Sequence, residues 1–327
     1  MDLVEVSRRY NIAPEEIVML SRNENAYGPS PRVREALRDV PLHRYPDSRA
    51  FVKALQDYTG YPEENIIIGA GLDDIITTLA RLFLGPGDRA LIPVPTYNVY
   101  GLGVRLCGAL PVYSQRLPGF EVSTEIPTEI KMIFLCSPNN PTGNSLSEET
   151  VRAVAESTAG IVFLDEAYAE FAEKNLLKLV GRYENLVVGR TFSKAFGLAG
   201  MRLGYSAAPL WLAEEYRRIA PLFGISSLSL AAGVAALRDQ EHMRETVARI
   251  THERERMRLR INARPSEGNF LYIQTEERSG QVVERLMRKG VVVKDCSTFP
   301  GAGEHSLRVS VGTPEENDRF LEAYGSG

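Results

Sequence analysis

Five short apolar runs, each bounded by turn residues, constrain the fold of this 327-residue chain more than any other feature. They are rich in isoleucine, valine, leucine and phenylalanine, and they read "NIIIGAG" (65–71), "RALIPV" (89–94), "KMIFLCS" (131–137), "GIVFLDE" (160–166) and "NLVVGRT" (185–191). Continuous apolar runs of this length are typical of strands that are buried on both faces of a mostly parallel sheet. Helical patterns such as "LDDIITTLARLFLG" (72–85) separate the runs, which predicts an α/β fold with helices on both faces of the sheet.

The pattern changes in the last third of the chain. A long charged helical region, "HMRETVARITHERERMRLR" (242–260), leads into two or three strand-like runs with one helical segment between them. This change predicts three parts: residues 1–40 as an N-terminal arm and part of a small domain, 41–222 as a large domain, and 223–327 as a smaller α/β C-terminal domain. We interpret the Arg/Glu-rich stretch 253–260 as a solvated helix face.

The composition excludes several classes of function. The chain has 38 Lys+Arg against 42 Asp+Glu, so its net charge of −4 does not indicate a nucleic-acid or membrane partner. The 3 cysteines have no paired spacing and the 4 histidines form no ligand motif, so we expect neither a disulfide framework nor a metal site. Apolar runs stay below the ~18 residues of a membrane helix and the first residues do not resemble a signal peptide, so we expect a cytoplasmic protein.

The residues that follow each apolar run are the candidate site, because open α/β sheets bind ligands at the carboxyl ends of their strands. These positions carry a glycine turn that opens a helix, an aromatic ring, an amide, a carboxylate with a phenol, and a lysine with hydroxyls and an arginine: Leu72, Asp73, Tyr97, Asn140, Asp165, Tyr168, Thr191, Ser193, Lys194 and Arg202. Taken singly, the glycines fit a tight turn, the tyrosine fits a core, and Asn-Pro fits a turn. Taken together, they are the set that pyridoxal phosphate needs: a lysine for a Schiff base, a carboxylate for the ring nitrogen and a phosphate site.

Six motifs in a fixed order extend this set along the chain. They are "NENAYGP", "RYPD", "PNNPTG", "DEAYAEF", "TFSKAFGLAGMRLGY" and "LRVSVGT". With them the chain resembles the fold-type I pyridoxal-phosphate aminotransferases of class I and II over nearly its whole length, and within that family the branch that acts on histidinol phosphate. The resemblance implies fold type I, pyridoxal 5′-phosphate as cofactor and a homodimer. It also implies transfer of the amino group of histidinol phosphate to 2-oxoglutarate, a step of histidine biosynthesis.

The resemblance further implies a role for each cofactor-binding residue. Lys194 forms the Schiff base, Asp165 pairs with the ring nitrogen, and Tyr97 stacks on the ring. Tyr168 and Asn140 hydrogen-bond the ring hydroxyl oxygen. The remaining residues surround the phosphate, the last of them from the neighbouring subunit: Leu72, Asp73, Thr191, Ser193, Arg202 and Tyr45.

The implied substrate contacts leave the amino donor open. Arg308 grips the substrate carboxylate, Tyr27 and Asn140 line the substrate pocket, and Lys294 stands where the family usually carries an arginine for the substrate's phosphate. An aromatic amino-acid aminotransferase and a threonine-phosphate decarboxylase of cobalamin synthesis are therefore alternatives, and "KDCSTFPG" resembles the decarboxylase. A catalytically inactive protein that binds pyridoxal phosphate is the non-enzyme alternative, which the intact set around Lys194 argues against.

Overall fold

The computed structural model describes residues 2–325. Its strands are β1 (Val18–Met19), β2 (Ile66–Gly69), β3 (Arg89–Val94), β4 (Leu110–Gln115), β5 (Ile130–Cys136), β6 (Ile161–Asp165), β7 (Leu186–Thr191), β8 (Gly204–Ala207), β9 (Phe270–Gln274), β10 (Val291–Val292), β11 (Lys294–Asp295) and β12 (Ser306–Ser310). Its α-helices are α1 (Leu3–Tyr10), α2 (Pro31–Ala36), α3 (Arg49–Thr59), α4 (Leu72–Phe83), α5 (Val99–Leu106), α6 (Glu148–Glu156), α7 (Leu210–Ile219), α8 (Ser227–Leu237), α9 (Gln240–Ile261), α10 (Ser279–Arg288) and α11 (Pro314–Gly325).

A seven-stranded sheet forms the centre of the molecule, in the order β2-β8-β7-β6-β5-β3-β4. Strand β8 is antiparallel to both of its neighbours, and the other pairs are parallel. All five apolar runs form strands of this sheet, which confirms the predicted mostly parallel α/β fold. The short strand β8 and the edge strand β4 were not predicted. In β4 most side chains are at least partly exposed and Pro111 interrupts the pattern, so it lacks the continuous apolar run of a central strand.

Alternate residues of the central strands enter two different cores. Met132 and Phe134 of β5 pack with α4, α5 and α7 on one face of the sheet, whereas Ile133 and Leu135 pack with α6 on the other face. A strand covered on both faces is apolar at every position, which is why its sequence reads as a continuous run. This burial fixes the carboxyl ends of β5, β6 and β7 side by side at one edge of the sheet.

A second region of the fold consists of smaller sheets. Strands β11, β12 and β9 form an antiparallel sheet in that order, and β1 pairs with β10 in parallel. The N-terminal segment therefore pairs with the C-terminal part of the chain, in agreement with the prediction that residues 1–40 contribute to the small domain. The seven-stranded sheet lies within residues 41–222 and the three-stranded sheet within 223–327. The three-part division at residues 40 and 222 itself stays a prediction.

Residues 253–260 of the charged helix α9 are not all exposed to solvent, contrary to what was predicted for this stretch. Glu253 and Arg254 are each only 6% exposed. Glu253 accepts hydrogen bonds from Arg256 and Asn317, and Arg254 donates one to the carbonyl of Gly268. The interpretation of the whole stretch as a solvated face is therefore wrong for these two positions, because they face α11 and the segment before β9.

Two features are absent from residues 2–325. None of their helices is both long enough and apolar enough to cross a bilayer. They also contain no group of three or more histidine, cysteine or acidic side chains arranged to hold a metal ion.

Candidate active site

A cavity of about 440 Å³ lies at the carboxyl ends of the central strands. All ten residues predicted from their positions after the strands line this cavity, and so does Arg308 of β12. The ten are Leu72, Asp73, Tyr97, Asn140, Asp165, Tyr168, Thr191, Ser193, Lys194 and Arg202. The structure thus brings together residues from five strand ends and from the smaller antiparallel sheet. The predicted residues Tyr27, Tyr45 and Lys294 lie outside this cavity.

One end of the cavity is built to hold an anion. Among the described residues, no side chain caps the N-terminus of α4, which leaves its first N–H groups free. The hydroxyls of Thr191 and Ser193 lie 3.0 Å apart, and Arg202 Nη1 lies 3.5 Å from Ser193 Oγ. A Cβ on Gly204 would lie 2.5 Å from the backbone nitrogen of Leu72, so only glycine permits this approach of strand to helix.

Lys194 lines the cavity. Its Nζ donates hydrogen bonds to the carbonyls of Arg22 and Asn23, both at 3.1 Å, and lies 5.8 Å from the centre of the Tyr168 ring. Burial, reinforced by the positive charge of Arg308, lowers the pKa of Lys194 to about 8. A lysine with such a pKa is available as a neutral nucleophile and base near neutral pH.

Asp165, at the end of β6, is a buried carboxylate that is 3% exposed. Its Oδ2 accepts a hydrogen bond from the Tyr100 hydroxyl at 2.6 Å, and its Oδ1 accepts one from the Ala167 N–H at 2.9 Å. Burial raises the pKa of Asp165 to about 6, against the effect of these two donors. The carboxylate is thus held in place and presented to the cavity as a hydrogen-bond acceptor.

Tyr168 is joined to the small-sheet region through Asn23, which the sequence reasoning did not single out. Asn23 Nδ2 donates to the Tyr168 hydroxyl at 3.0 Å, and Ser310 Oγ donates to Asn23 Oδ1 at 2.9 Å. Asn23 is 1% exposed and has a φ of 54°, a left-handed conformation that asparagine tolerates. Its position in "NENAYGP" was the available signal, but its partners are 145 and 287 residues away.

The two adjacent asparagines of "PNNPTG" have different roles. Asn140 lines the cavity, whereas Asn139 is fully buried behind it. Asn139 Oδ1 accepts hydrogen bonds from Thr96 Oγ1 and Arg116 Nη2, both at 2.8 Å. Asn139 therefore ties the turn that carries Asn140 to the segment that carries Tyr97, whose hydroxyl donates to Asp73 at 3.1 Å.

A second cavity of about 500 Å³ adjoins the first, since Tyr97, Asn140 and Arg308 line both. Lys294 lies in this second cavity, directly opposite Arg308 in the pairing of β11 with β12. Paired residues on neighbouring strands project on the same face, so the side chains of Lys294 and Arg308 extend from the same face of this sheet. Arg22, which sequence reasoning also missed, lines both cavities as a third cation.

Arg308 is 5% exposed and is held from two sides. Its Nη1 donates to Asn140 Oδ1 at 2.5 Å, and its Nη2 donates to the Ser21 carbonyl at 2.6 Å. Within residues 2–325 its Nε has no hydrogen-bond partner. A buried guanidinium with a spare donor is suited to an anionic ligand group.

Tyr27 and Tyr45 lie apart from both cavities in a single chain. Tyr27 is partly buried, with the Arg249 guanidinium 5.6 Å from its ring centre. Tyr45 is 79% exposed, and its ring stacks on Phe223 at 4.4 Å. The roles of both residues stay predictions, and that of Tyr45 requires a second subunit.

Comparisons with known proteins agree with this geometry. The family model described as aminotransferase class I and II matches residues 15–323. The chain is 41% identical to the histidinol-phosphate aminotransferase of Methanosarcina mazei, covering 98% of this chain and 90% of the relative. It is 40% identical to histidinol-phosphate aminotransferase 1 of Archaeoglobus fulgidus, covering 94% and 98% of the two chains.

Solved structures share the fold. The histidinol-phosphate aminotransferase of Sinorhizobium meliloti, in complex with pyridoxal-5′-phosphate, matches with a TM-score of 0.92 and 26% identity, covering 100% of this chain and 94% of that chain. The L-threonine-O-3-phosphate decarboxylase of Porphyromonas gingivalis matches with a TM-score of 0.85, covering 95% of this chain and 99% of that chain. Its 20% identity shows a shared fold alone.

Proposed function

The chain belongs to the class I and II aminotransferases, and we propose that it transfers the amino group of histidinol phosphate to 2-oxoglutarate, yielding glutamate. The observation that carries the choice of donor is the pairing of Lys294 with Arg308 beside the Lys194 cavity. A phosphate dianion carries more charge than a carboxylate and can form charge-assisted hydrogen bonds with both cations. We infer a role in histidine biosynthesis from this substrate.

The residues of the first cavity fit pyridoxal 5′-phosphate as the cofactor. The free N–H groups of α4 at Leu72 and Asp73, with Thr191, Ser193 and Arg202, would hold the phosphate. Asp165 would accept a hydrogen bond from the ring nitrogen, and Tyr97 would pack on the ring. Tyr168 and Asn140 would hydrogen-bond the ring hydroxyl oxygen, and Lys194 would bind the cofactor covalently. When bound, the cofactor supplies an electron sink for the bond that breaks at the substrate's α-carbon.

The chain's own contribution to the chemistry centres on Lys194. Its lowered pKa of about 8 leaves a useful fraction of the amine neutral at pH 7 to 8, so it can accept a proton from the α-carbon and return it. The carbonyls of Arg22 and Asn23 orient its Nζ. The buried walls contributed by Tyr168 and Asp165 limit water at the site of proton transfer.

The substrate anion would bind where the two cavities meet. Arg308 would take the α-carboxylate of glutamate or 2-oxoglutarate, and Tyr27 would contribute to the substrate pocket. Histidinol phosphate carries a phosphate ester in place of that carboxylate, which extends further from the amine. Lys294, on the neighbouring strand, is positioned to share the extra charge with Arg308.

A homodimer with Tyr45 contributed across the interface is part of this proposal. In one subunit Tyr45 is solvent-exposed and its ring stacks on the exposed Phe223. Exposed aromatic side chains of this kind mark an association site, and the Tyr45 phenol could reach the phosphate bound by a neighbour. We also assign the protein to the cytoplasm, since its 3 cysteines are free, as is usual in a reducing compartment.

A panel of amino donors tests the choice of substrate. Histidinol phosphate, phenylalanine, tyrosine and threonine phosphate are each assayed with 2-oxoglutarate, with glutamate and carbon dioxide measured as products. We expect the highest kcat/KM for histidinol phosphate. Release of carbon dioxide from threonine phosphate would instead identify a decarboxylase, and equal rates with phenylalanine would identify an aromatic aminotransferase.

A substitution of Lys294, the residue proposed to bind the substrate's phosphate, tests the choice of donor more specifically. Lys294→Met removes one charge-assisted contact, so kcat/KM for histidinol phosphate should fall by about tenfold or more. Phenylalanine, which has no phosphate, should lose little in the same variant. A uniform loss for both donors would contradict the assignment of Lys294 to the phosphate.

A further inference from the structure

Tyr100 makes the shortest hydrogen bond to the buried carboxylate of the site, yet it does not line the cavity. Its hydroxyl donates to Asp165 Oδ2 at 2.6 Å. Tyr100 is 0% exposed and belongs to α5, whereas Asp165 ends β6. The bond therefore reaches the carboxylate from inside the protein core, away from the space that a ligand would fill.

Asp165 has two hydrogen-bond donors in the protein and can accept a further hydrogen bond from the cavity. The phenol of Tyr100 and the N–H of Ala167 both donate, one to each carboxylate oxygen. Because both partners are donors, they stabilise the ionised form of the acid and fix the plane of the carboxylate. The remaining acceptor capacity of the oxygens faces the cavity that Asp165 lines.

Aromatic packing holds the Tyr100 hydroxyl in position. The Tyr100 ring stacks on Phe134 of β5, with centroids 5.1 Å apart and planes 9° apart. Its edge meets Tyr97, whose ring centroid lies 5.7 Å away at 82°. A tyrosine clamped by a strand residue on one side and a cavity residue on the other has little freedom to move its hydroxyl.

We propose that Tyr100 is a positioning residue that keeps Asp165 ionised and aimed at the ring nitrogen of the cofactor. This inference rests on the proposed function, because it requires pyridoxal phosphate in the cavity. Burial of Asp165 opposes ionisation, and the Tyr100 hydrogen bond counteracts it by lowering the pKa of the carboxyl. An ionised Asp165 keeps the ring nitrogen protonated, and a protonated ring is the stronger electron sink.

Other titratable groups also act on Asp165 from the elements around it. Asp73 of α4 raises its pKa and Lys194 lowers it. Cys136, at the end of β5, and Tyr97 lie within the same electrostatic neighbourhood. Tyr100 differs from all of these because it is the side chain whose hydrogen bond most strongly favours the charged form of Asp165.

The test uses the holoenzyme with Tyr100→Phe, which keeps the ring and removes the hydroxyl. Tyr216→Phe is the matched control, since Tyr216 is 2% exposed in the same core and its hydroxyl is not one of the two donors to Asp165. Both proteins are loaded with pyridoxal phosphate labelled with ¹⁵N in the ring, and the ring-nitrogen chemical shift is recorded against pH. The dissociation constant of the cofactor is measured in parallel.

We expect the ring nitrogen of Tyr100→Phe to be less protonated than that of the wild type at the same pH, because a carboxylate without its donor is more basic and draws the shared proton onto Asp165. The cofactor dissociation constant should rise about five- to tenfold, because the contact of Asp165 with the ring nitrogen changes from a charge-assisted hydrogen bond to a neutral one about half as strong. The acid limb of the kcat profile should move to higher pH, since Asp165 without its donor protonates more readily. Tyr216→Phe should match the wild type in all three measurements.

An unchanged ring-nitrogen titration and cofactor affinity in a folded Tyr100→Phe protein would overturn the proposal. If that variant does not fold, the wild-type apo-protein labelled in its tyrosines supplies the answer. A hydroxyl proton in the Tyr100–Asp165 bond should resonate far downfield and exchange slowly, and its absence would overturn the proposal. Failure of the wild type to bind pyridoxal phosphate at all would instead overturn the proposed function.

Discussion

At the scale of single residues, burial determines the protonation of the two groups that matter most for the chemistry. It raises the pKa of Asp165 to about 6 and lowers that of Lys194 to about 8. Between these two values the acid is mostly ionised and the lysine begins to lose its proton. Near neutral pH the site therefore holds a carboxylate ready for a ring nitrogen and an amine close to its titration point.

The lowered pKa of Lys194 predicts how the apo-protein binds pyridoxal phosphate. Only the neutral amine attacks an aldehyde, so the rate of covalent binding should rise about tenfold per pH unit below pH 8 and level off above it. Stopped-flow absorbance from pH 6 to 10 measures this rate, with the lysine of an unstructured peptide as control. A rate that climbs to pH 10, as for the control, would show that the burial of Lys194 has no such effect.

The residue scale also shows what sequence reasoning could reach. The ten strand-end residues of the cavity were predicted, because a residue that follows a buried strand has a defined place in an α/β sheet. Asn23, Tyr100 and Arg22 were missed, because their partners come from distant parts of the chain. Nothing in "PTYNVY" distinguishes Tyr100, which bonds Asp165, from an ordinary core tyrosine.

At the scale of elements, the contact between β8 and the start of α4 sets the shape of the anion site. Gly204, the first residue of β8, lies so close to Leu72 that an added Cβ would approach its backbone nitrogen to 2.5 Å. Backbone atoms cannot swing aside as a side chain can. The free N–H groups at the start of α4 therefore depend on this glycine for their position.

Gly204→Ala should displace the N-terminus of α4 and weaken binding of the cofactor's phosphate. We expect a loss of about 1–3 kcal/mol in the free energy of unfolding, typical of an overpacked site. The affinity for pyridoxal phosphate should fall more than that for pyridoxal, which lacks the phosphate. Equilibrium binding of both compounds measures the difference.

Gly85→Ala is the control for this experiment, since the nearest atom to its added Cβ would be Asp88 Oδ2 at 3.8 Å. It lies after the other end of α4. Equal losses for pyridoxal phosphate and pyridoxal in Gly204→Ala would contradict the assignment of the phosphate to this end of the helix.

The element scale explains which strands the sequence revealed. The central strands are covered on both faces, so their composition alone identifies them. Strand β4 lies at the sheet edge and β8 has four residues, and neither carries a continuous apolar run. The interpretation of 253–260 failed for a related reason: packing of α9 against α11 is a tertiary contact that charge patterning does not report.

At the scale of the whole molecule, the proposal requires that each active site combine two subunits. Tyr45 lies on an exposed apolar surface of its own chain, and the phosphate site lies in the cavity lined by Thr191 and Arg202. A dimer would also cover the exposed rings of Tyr45 and Phe223.

Mixed dimers test this arrangement. Lys194→Ala and Tyr45→Ala subunits are co-expressed with different affinity tags, and the hybrid dimer is purified. One of its two sites carries both substitutions and the other carries neither, so the hybrid should recover about half of the wild-type activity at limiting cofactor. Both parent homodimers should be far less active. A hybrid no more active than the Tyr45→Ala parent would show that Tyr45 does not act across subunits.

The half-reaction with one substrate is the most direct test of the claim that the protein transfers the amino group of histidinol phosphate. Histidinol phosphate is added to the holoenzyme without a keto acid, and the visible absorption of the bound cofactor is followed. We predict loss of that absorption with one equivalent of keto product per subunit, and its return on adding 2-oxoglutarate with one equivalent of glutamate formed. Absorption that persists with histidinol phosphate, or that returns without glutamate, would contradict transamination of this donor.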